Sequence, residues 1–248
     1  MKRIISTLVA AALCAGAVLA AGPTSSAAST RAGRPALRIM PLGDSITVGV
    51  GSLHDTGYRL PLWRLVSLRP DVAAEFVGSQ RDGAFAQPWH EGHSGWMIND
   101  LRGRVDGWLQ ASRPDVVLLH IGINDLDRGA DKAHAVDRLQ LLLDRIFTDR
   151  PGVAVVLLGL IPTTGGLQPL VAGFNERAQL LQGVERRLGR RLTYIGPPAL
   201  TSDEFADRLH PDDLGYTRIA QAFYTGLLGS IEQAAATDRP GDRPAGRP

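Results

Sequence analysis

Four short stretches of this 248-residue chain carry side chains suited to one kind of chemistry. The first is "LGDSIT", in which Ser45 follows Gly43 and Asp44 directly after an apolar run. A serine at the end of a strand, with glycine around it for close approach, is a candidate nucleophile. Taken alone it is equally a polar turn, because Gly, Asp and Ser are ordinary turn residues. The last stretch is "FADRLHPDD", where Asp207 and His210 stand three residues apart. That spacing lets a carboxylate reach an imidazole within one loop, fix its tautomer and stabilise its protonated form. An isolated pair of this kind is also read as an exposed histidine beside a capping aspartate. Between them lie "GHSGW", where Gly95 could offer an unobstructed N–H, and "GIND", where the Asn124 amide is a neutral donor. A nucleophile, a base with its orienting acid and two oxyanion donors are the parts of an acyl-transfer site.

These parts work only if the fold gathers them. Apolar runs at 37–42, 74–79, 115–122, 153–161 and 192–196 read as five strands, and two of them are apolar almost throughout, as in strands covered on both faces. Amphipathic segments alternate with them. Val136, Leu139, Leu143 and Ile146 recur at helical spacing within 136–147, as do Leu170, Phe174, Ala178, Leu181 and Leu188 within 170–188. Further helices are expected near 57–69, 97–110 and 213–235. Strands alternating with helices imply a parallel five-stranded sheet with helices on both faces. Ligands of such sheets bind beyond the carboxyl ends of the strands, and each candidate residue follows an apolar run.

The ends of the chain have a different composition. Lys2 and Arg3 precede an apolar, alanine-rich run and then small residues, the pattern of a secretory leader over residues 1–28. A linker is expected at 29–36, the folded domain at 37–235, and a disordered Pro/Gly/charge-rich tail at 236–248. The one cysteine, Cys14, lies in the leader, so the mature chain would carry no disulfide. The chain holds 27 basic and 25 acidic residues; loss of Lys2 and Arg3 with the leader leaves 25 of each. Nothing in this balance argues for nucleic acid. The expectation is a secreted monomer with no lasting membrane attachment. His90 and His93 flank Glu91, but they are three apart in a glycine-rich stretch rather than four apart on a helix, so neither a metal nor a cofactor is expected.

The four segments resemble the four blocks of the SGNH hydrolases, the group that includes the GDSL esterases and lipases. "GDSIT", "GHSGW", "GIND" and "DRLH" match in order and spacing across nearly all of residues 37–228. The resemblance implies a flavodoxin-like three-layer α/β/α sandwich. It also implies Ser45 as nucleophile, Asp207 and His210 as its partners, and an oxyanion hole of the Ser45 N–H, Gly95 and Asn124. "IMPLGDSIT", "GYRLPLW", "FVGSQRDG", "HEGHSGW" and "LLHIGIND" further resemble carbohydrate esterase family 3, the secreted acetylxylan esterases. That likeness implies acetylated polysaccharide or oligosaccharide as substrate, with Asp44, Tyr58, Arg59 and Trp96 as candidate substrate contacts. Two other readings are open: an esterase or lipase acting on longer acyl chains, and a non-catalytic carbohydrate-binding protein using Trp89 and Trp96. The first predicts an open apolar cleft, yet the connecting segments hold few aromatic residues and no apolar lid. The second leaves Ser45, Asp207 and His210 without a purpose.

Overall fold

The structure is a computed structural model and describes residues 36–163 and 166–236. The expected leader, all of the expected linker except Ala36, and the tail beyond Ala236 lie outside the described residues.

The core is a sheet of seven strands: β1 (Leu37–Gly43), β2 (Ala74–Phe76), β3 (Gln80–Arg81), β4 (Trp89–Gly92), β5 (Val116–His120), β6 (Ala154–Leu158) and β7 (Arg191–Ile195). Strands β2, β1, β5, β6 and β7 run parallel in that spatial order and correspond to the five apolar runs. The sheet is thus mostly parallel and flanked by helices. Two short strands lie in the stretch after β2 that its polar sequence marks as loop. Strand β4 runs parallel to β1, pairing Glu91 with Leu42 and Gly92 with Gly43, and β3 pairs antiparallel with β4. The edge of β1 opposite β5 is therefore shared, its first half taken by β2 and its last two residues by β4.

Each sheet face buries its own apolar cluster, which is why the central strands are apolar at successive positions. Val117 and Leu119 of β5 face a layer built from α3 (Ile98–Arg102), α4 (Val105–Ser112), α6 (Ala135–Asp149) and α7 (Gln168–Arg187). Val116 and Leu118 face the other layer, built from α1 (Ser45–Val48), α2 (Arg59–Ser67) and α8 (Asp213–Ala236). The apolar stripe of α6 is Val136, Leu139, Leu142, Leu143 and Ile146, all buried against the sheet. The single helix expected at 97–110 is two helices, because the chain turns at Gly103 and Arg104 between α3 and α4. A further short helix, α5 (Ile123–Asp127), follows β5 directly. Among the described residues, no helix is long and apolar enough to cross a membrane.

Candidate active site

The site lies where β1, β4 and β5 end together: Gly43 is in register with Gly92 on one side and His120 on the other. Gly43 has no room for a side chain. A Cβ there would sit 2.2 Å from the His120 carbonyl oxygen and 2.5 Å from Thr47 Oγ1. Asp44 then caps α1, its Oδ1 accepting the Ile46 N–H at 3.0 Å. Ser45 becomes the first residue of that single turn, which closes when the Gly49 N–H donates to the Ser45 carbonyl at 2.9 Å.

The acid and base arrive from the other end of the chain, in the loop before α8. The Ala206 N–H donates to the His210 carbonyl at 2.9 Å, and Phe205 bridges to Pro211, so the loop is closed on itself. Asp207 Oδ1 accepts the N–H groups of Leu209 and His210, each at 2.8 Å. Its Oδ2 lies 2.7 Å from His210 Nδ1, and His210 Nε2 lies 2.8 Å from Ser45 Oγ. With Nδ1–H donated to the carboxylate, Nε2 is left to accept the serine hydroxyl proton. Partial burial alone would raise the Asp207 carboxyl, but the hydrogen bonds from the His210 ring and the two N–H groups hold it below the usual value. It is therefore ionised when it faces the imidazole. Gly51 allows the loop after α1 to lie against this relay. Its φ is +93°, and a Cβ there would meet the Pro211 carbonyl oxygen at 2.6 Å and His210 Cβ at 3.1 Å.

The two expected oxyanion donors are brought together as well. The His93 N–H donates to the Gly43 carbonyl at 3.0 Å, and the Trp96 N–H donates to His93 O at 3.1 Å, closing a turn with Gly95 at φ +81°. Asn124, in the first turn of α5, is buried. Its Nδ2 donates to the Trp96 carbonyl at 2.9 Å. Arg128 joins Gly95 and Asn124 from outside, donating to Asn124 Oδ1 at 3.0 Å and also to the Gly95 carbonyl.

The expected substrate contacts fare differently. Asp44, Tyr58 and Arg59, expected to contact substrate, have no exposed surface in this structure. Burial pushes the Asp44 carboxyl up to about 7, against the Ile46 hydrogen bond that lowers it. The Tyr58 hydroxyl lies 3.2 Å from Thr47 Oγ1. The Arg59 guanidinium donates to the carbonyls of Thr47, Val48, Asp55, Asp82 and Pro88, which uses each of its donors. Trp96 is half-buried, with the His93 ring stacked on it at 4.2 Å; Trp108 also stacks on His93, at 4.7 Å, and lies 6.0 Å from Trp96. Trp89 is exposed, with the Arg81 guanidinium 5.4 Å above its ring.

His90 and His93 are held by protein groups. His90 Nδ1 accepts the Gly92 N–H at 2.9 Å and its Nε2 lies 3.0 Å from Asp82 Oδ2. Burial, with the Arg59 charge nearby, pushes His90 down to about 3, which keeps the ring neutral. His93 Nε2 bonds the buried Glu91 carboxylate at 3.1 Å. No three His, Cys, Asp or Glu side chains gather into a ligand set among the described residues. Arg128 escaped sequence reasoning although a signal was present: it stands one helical turn after Asn124, on the same face.

The GDSL-like Lipase/Acylhydrolase family matches residues 42–218. The chain is 29% identical to a family 3 carbohydrate esterase of Clostridium thermocellum, with a TM-score of 0.74 over 81% of this chain and 100% of that one. A carbohydrate esterase family 3 protein of Talaromyces cellulolyticus is 25% identical, with a TM-score of 0.66 over 79% of this chain and 99% of that one. A curated multidomain esterase of Ruminococcus flavefaciens is 26% identical over 95% of this chain, and a putative endoglucanase X of Acetivibrio thermocellus is 25% identical over 58% of it. The chain spans 33% of the first of these curated relatives, and the match to the second covers 63% of that protein. The match over residues 42–218 takes in the serine turn, the glycine and asparagine segments and the Asp207–His210 loop, and on it the chain belongs to the GDSL-like lipase/acylhydrolase family.

Proposed function

We propose that this chain is a secreted serine esterase that removes acetyl groups from acetylated xylan or a related carbohydrate. The observation that carries the reading is the continuous relay from Ser45 Oγ to His210 Nε2 at 2.8 Å and from His210 Nδ1 to Asp207 at 2.7 Å. The choice of an acetylated sugar is supported by the likeness to family 3 carbohydrate esterases.

In the first step Ser45 Oγ attacks the ester carbonyl carbon while its proton passes to His210 Nε2. Asp207 stays ionised and holds the imidazolium. The tetrahedral oxyanion is stabilised by the N–H groups of Ser45 and Gly95 and by the Asn124 amide. The intermediate collapses, the carbon–oxygen bond to the sugar breaks, and the leaving alcohol takes the proton from His210. Water, deprotonated by His210, then attacks the acetyl-serine and releases acetate and free Ser45.

The test is acetate release by the purified chain from acetylated xylan, set beside turnover of chromogenic acetate and octanoate esters. Wild type should favour acetate over octanoate, and Ser45→Ala should lower kcat by at least about 10³-fold. Full activity in Ser45→Ala would exclude the mechanism; preference for octanoate would move the substrate from acetylated sugar to longer acyl esters.

A further inference from the structure

Asn124 can help an oxyanion only if its side-chain amide faces the right way. An amide turned over would present its oxygen, an acceptor, where a donor is needed. Two contacts select the orientation. Nδ2 donates to the Trp96 carbonyl at 2.9 Å, which uses one of its two N–H groups and leaves the other. Oδ1 accepts from Arg128 Nη1 at 3.0 Å. Turning the amide over would set Oδ1 against the Trp96 carbonyl and Nδ2 against the guanidinium, acceptor facing acceptor and donor facing donor. Both losses would fall on a buried group, where an unmade hydrogen bond is costly.

The same guanidinium holds the second donor segment. Arg128 Nη2 donates to the Gly95 carbonyl, in the turn whose Trp96 carbonyl receives the Asn124 amide. Arg128, Asn124 and the 95–96 backbone therefore form a closed set of three contacts: Arg128 to Asn124, Asn124 to Trp96, and Arg128 to Gly95. Helix α5 sets the spacing, since the Arg128 N–H donates to the Asn124 carbonyl at 3.1 Å and so places the two side chains one above the other. A planar guanidinium suits this bridging because two of its N–H groups point to separate acceptors at once. Its charge on Oδ1 also draws electron density from the amide and strengthens the remaining N–H as a donor.

We propose that Arg128 is a positioning residue that locks the Asn124 amide and the Gly95 turn into one arrangement offering both N–H groups to the reaction site. The inference rests on the esterase reading, in which Asn124 and Gly95 serve the oxyanion. Arg128 acts through these donors and needs no contact with substrate.

The experiment is a double-mutant cycle on the full chain, read as kcat and KM with 4-nitrophenyl acetate. Asn124→Ala should lower kcat about 10²–10³-fold. Arg128→Ala should lower kcat roughly 10- to 100-fold with little change in KM, as expected when a donor is misplaced. Arg128→Lys should recover only part of the loss, and added guanidinium salt should partly restore Arg128→Ala but not Asn124→Ala. The double variant should be no slower than Asn124→Ala within about 2-fold, because the two residues act as one unit. Thermal unfolding of each variant accompanies the kinetics. Should Arg128→Ala not fold, Arg128→Lys carries the same cycle. Full kcat in Arg128→Ala, or a double variant whose loss is the product of the single losses, would overturn the inference while leaving the esterase reading intact. Full activity in Asn124→Ala would likewise overturn the inference alone, whereas full activity in Ser45→Ala would overturn the esterase reading and this inference with it.

Discussion

Arg208 and Asp127 form a two-pronged ion pair between the loop that holds Asp207 and His210 and the helix that holds Asn124. Arg208 Nη1 meets Asp127 Oδ1 at 2.9 Å and Nη2 meets Oδ2 at 2.6 Å. Arg208 stands next to Asp207 in the chain, and Asp127 next to Arg128. The Arg208 side chain is about half exposed, so the pair adds little to global stability. Its value is geometric, since it couples the loop that meets Ser45 through His210 to the helix that follows β5. Arg208→Gln and Asp127→Asn should each lower kcat with acetate esters by roughly 3- to 10-fold, within the range expected for small displacements of catalytic groups. The double variant should match either single one, and the melting temperature should move by less than about 3 °C. Additive losses would show that the two side chains act separately.

Arg59 is predicted to matter through the fold beneath the serine rather than through substrate. Its buried guanidinium serves five backbone carbonyls, two of which, Thr47 and Val48, belong to the turn that begins at Ser45. Burial lowers it to about 10, with the neighbouring Tyr58 and Asp82 opposing, so it remains charged at neutral pH. Arg59→Lys supplies three donors from one nitrogen in place of five, so at least two of these carbonyls lose their partner. The expected cost is roughly 3 kcal/mol or more. For a domain of this size that is a fall in melting temperature of about 6–12 °C. Thermal unfolding of the purified variant measures it. A substrate contact would instead raise KM and leave the melting temperature in place.

How far this arrangement was legible beforehand depends on how local each contact is. The five parallel strands announce themselves because double-sided burial demands continuous apolar runs. Asp207 and His210 stand three residues apart in one loop, so their contact is legible locally, whereas the 165-residue separation of Ser45 from His210 is bridged only by the order of strands. Strand β4 is not, because only two residues pair with β1 and its polar His90 and Glu91 are buried through bonds to Asp82 and Ser79. The break between α3 and α4 carries no proline to mark it. Arg128 and Arg208 look like solvated surface charges, and Arg59 like a substrate contact, until the segments that supply their acceptors are placed beside them. Long-range pairing of polar groups leaves no periodic trace in a sequence, whereas burial of apolar ones does.

His120 offers a prediction on pH. It ends β5 fully buried, and both ring nitrogens lack a hydrogen-bond partner. Burial pushes it from the ordinary 6.5 down to about 4, the nearness of its own backbone opposing only in part. Its folded value is therefore below its unfolded value. Between about 6.5 and about 4 the unfolded chain takes up a proton that the folded chain refuses, so stability is lost as pH falls through that window. His90, pushed down to about 3, adds a loss of the same sign that continues further into acid. Asp44 acts in the opposite sense: its value, raised to about 7, makes stability fall as pH rises from about 4. The wild-type profile is thus a difference of opposing slopes, and the variant His120→Leu isolates one of them. Leucine has a similar volume and no polar atom to leave unpaired, so stability at pH 8 should be equal or higher. The fall in melting temperature between pH 7 and pH 4.5 should be smaller in His120→Leu than in wild type. Parallel profiles for the two proteins would show that His120 takes up its proton in the folded state as readily as in the unfolded one.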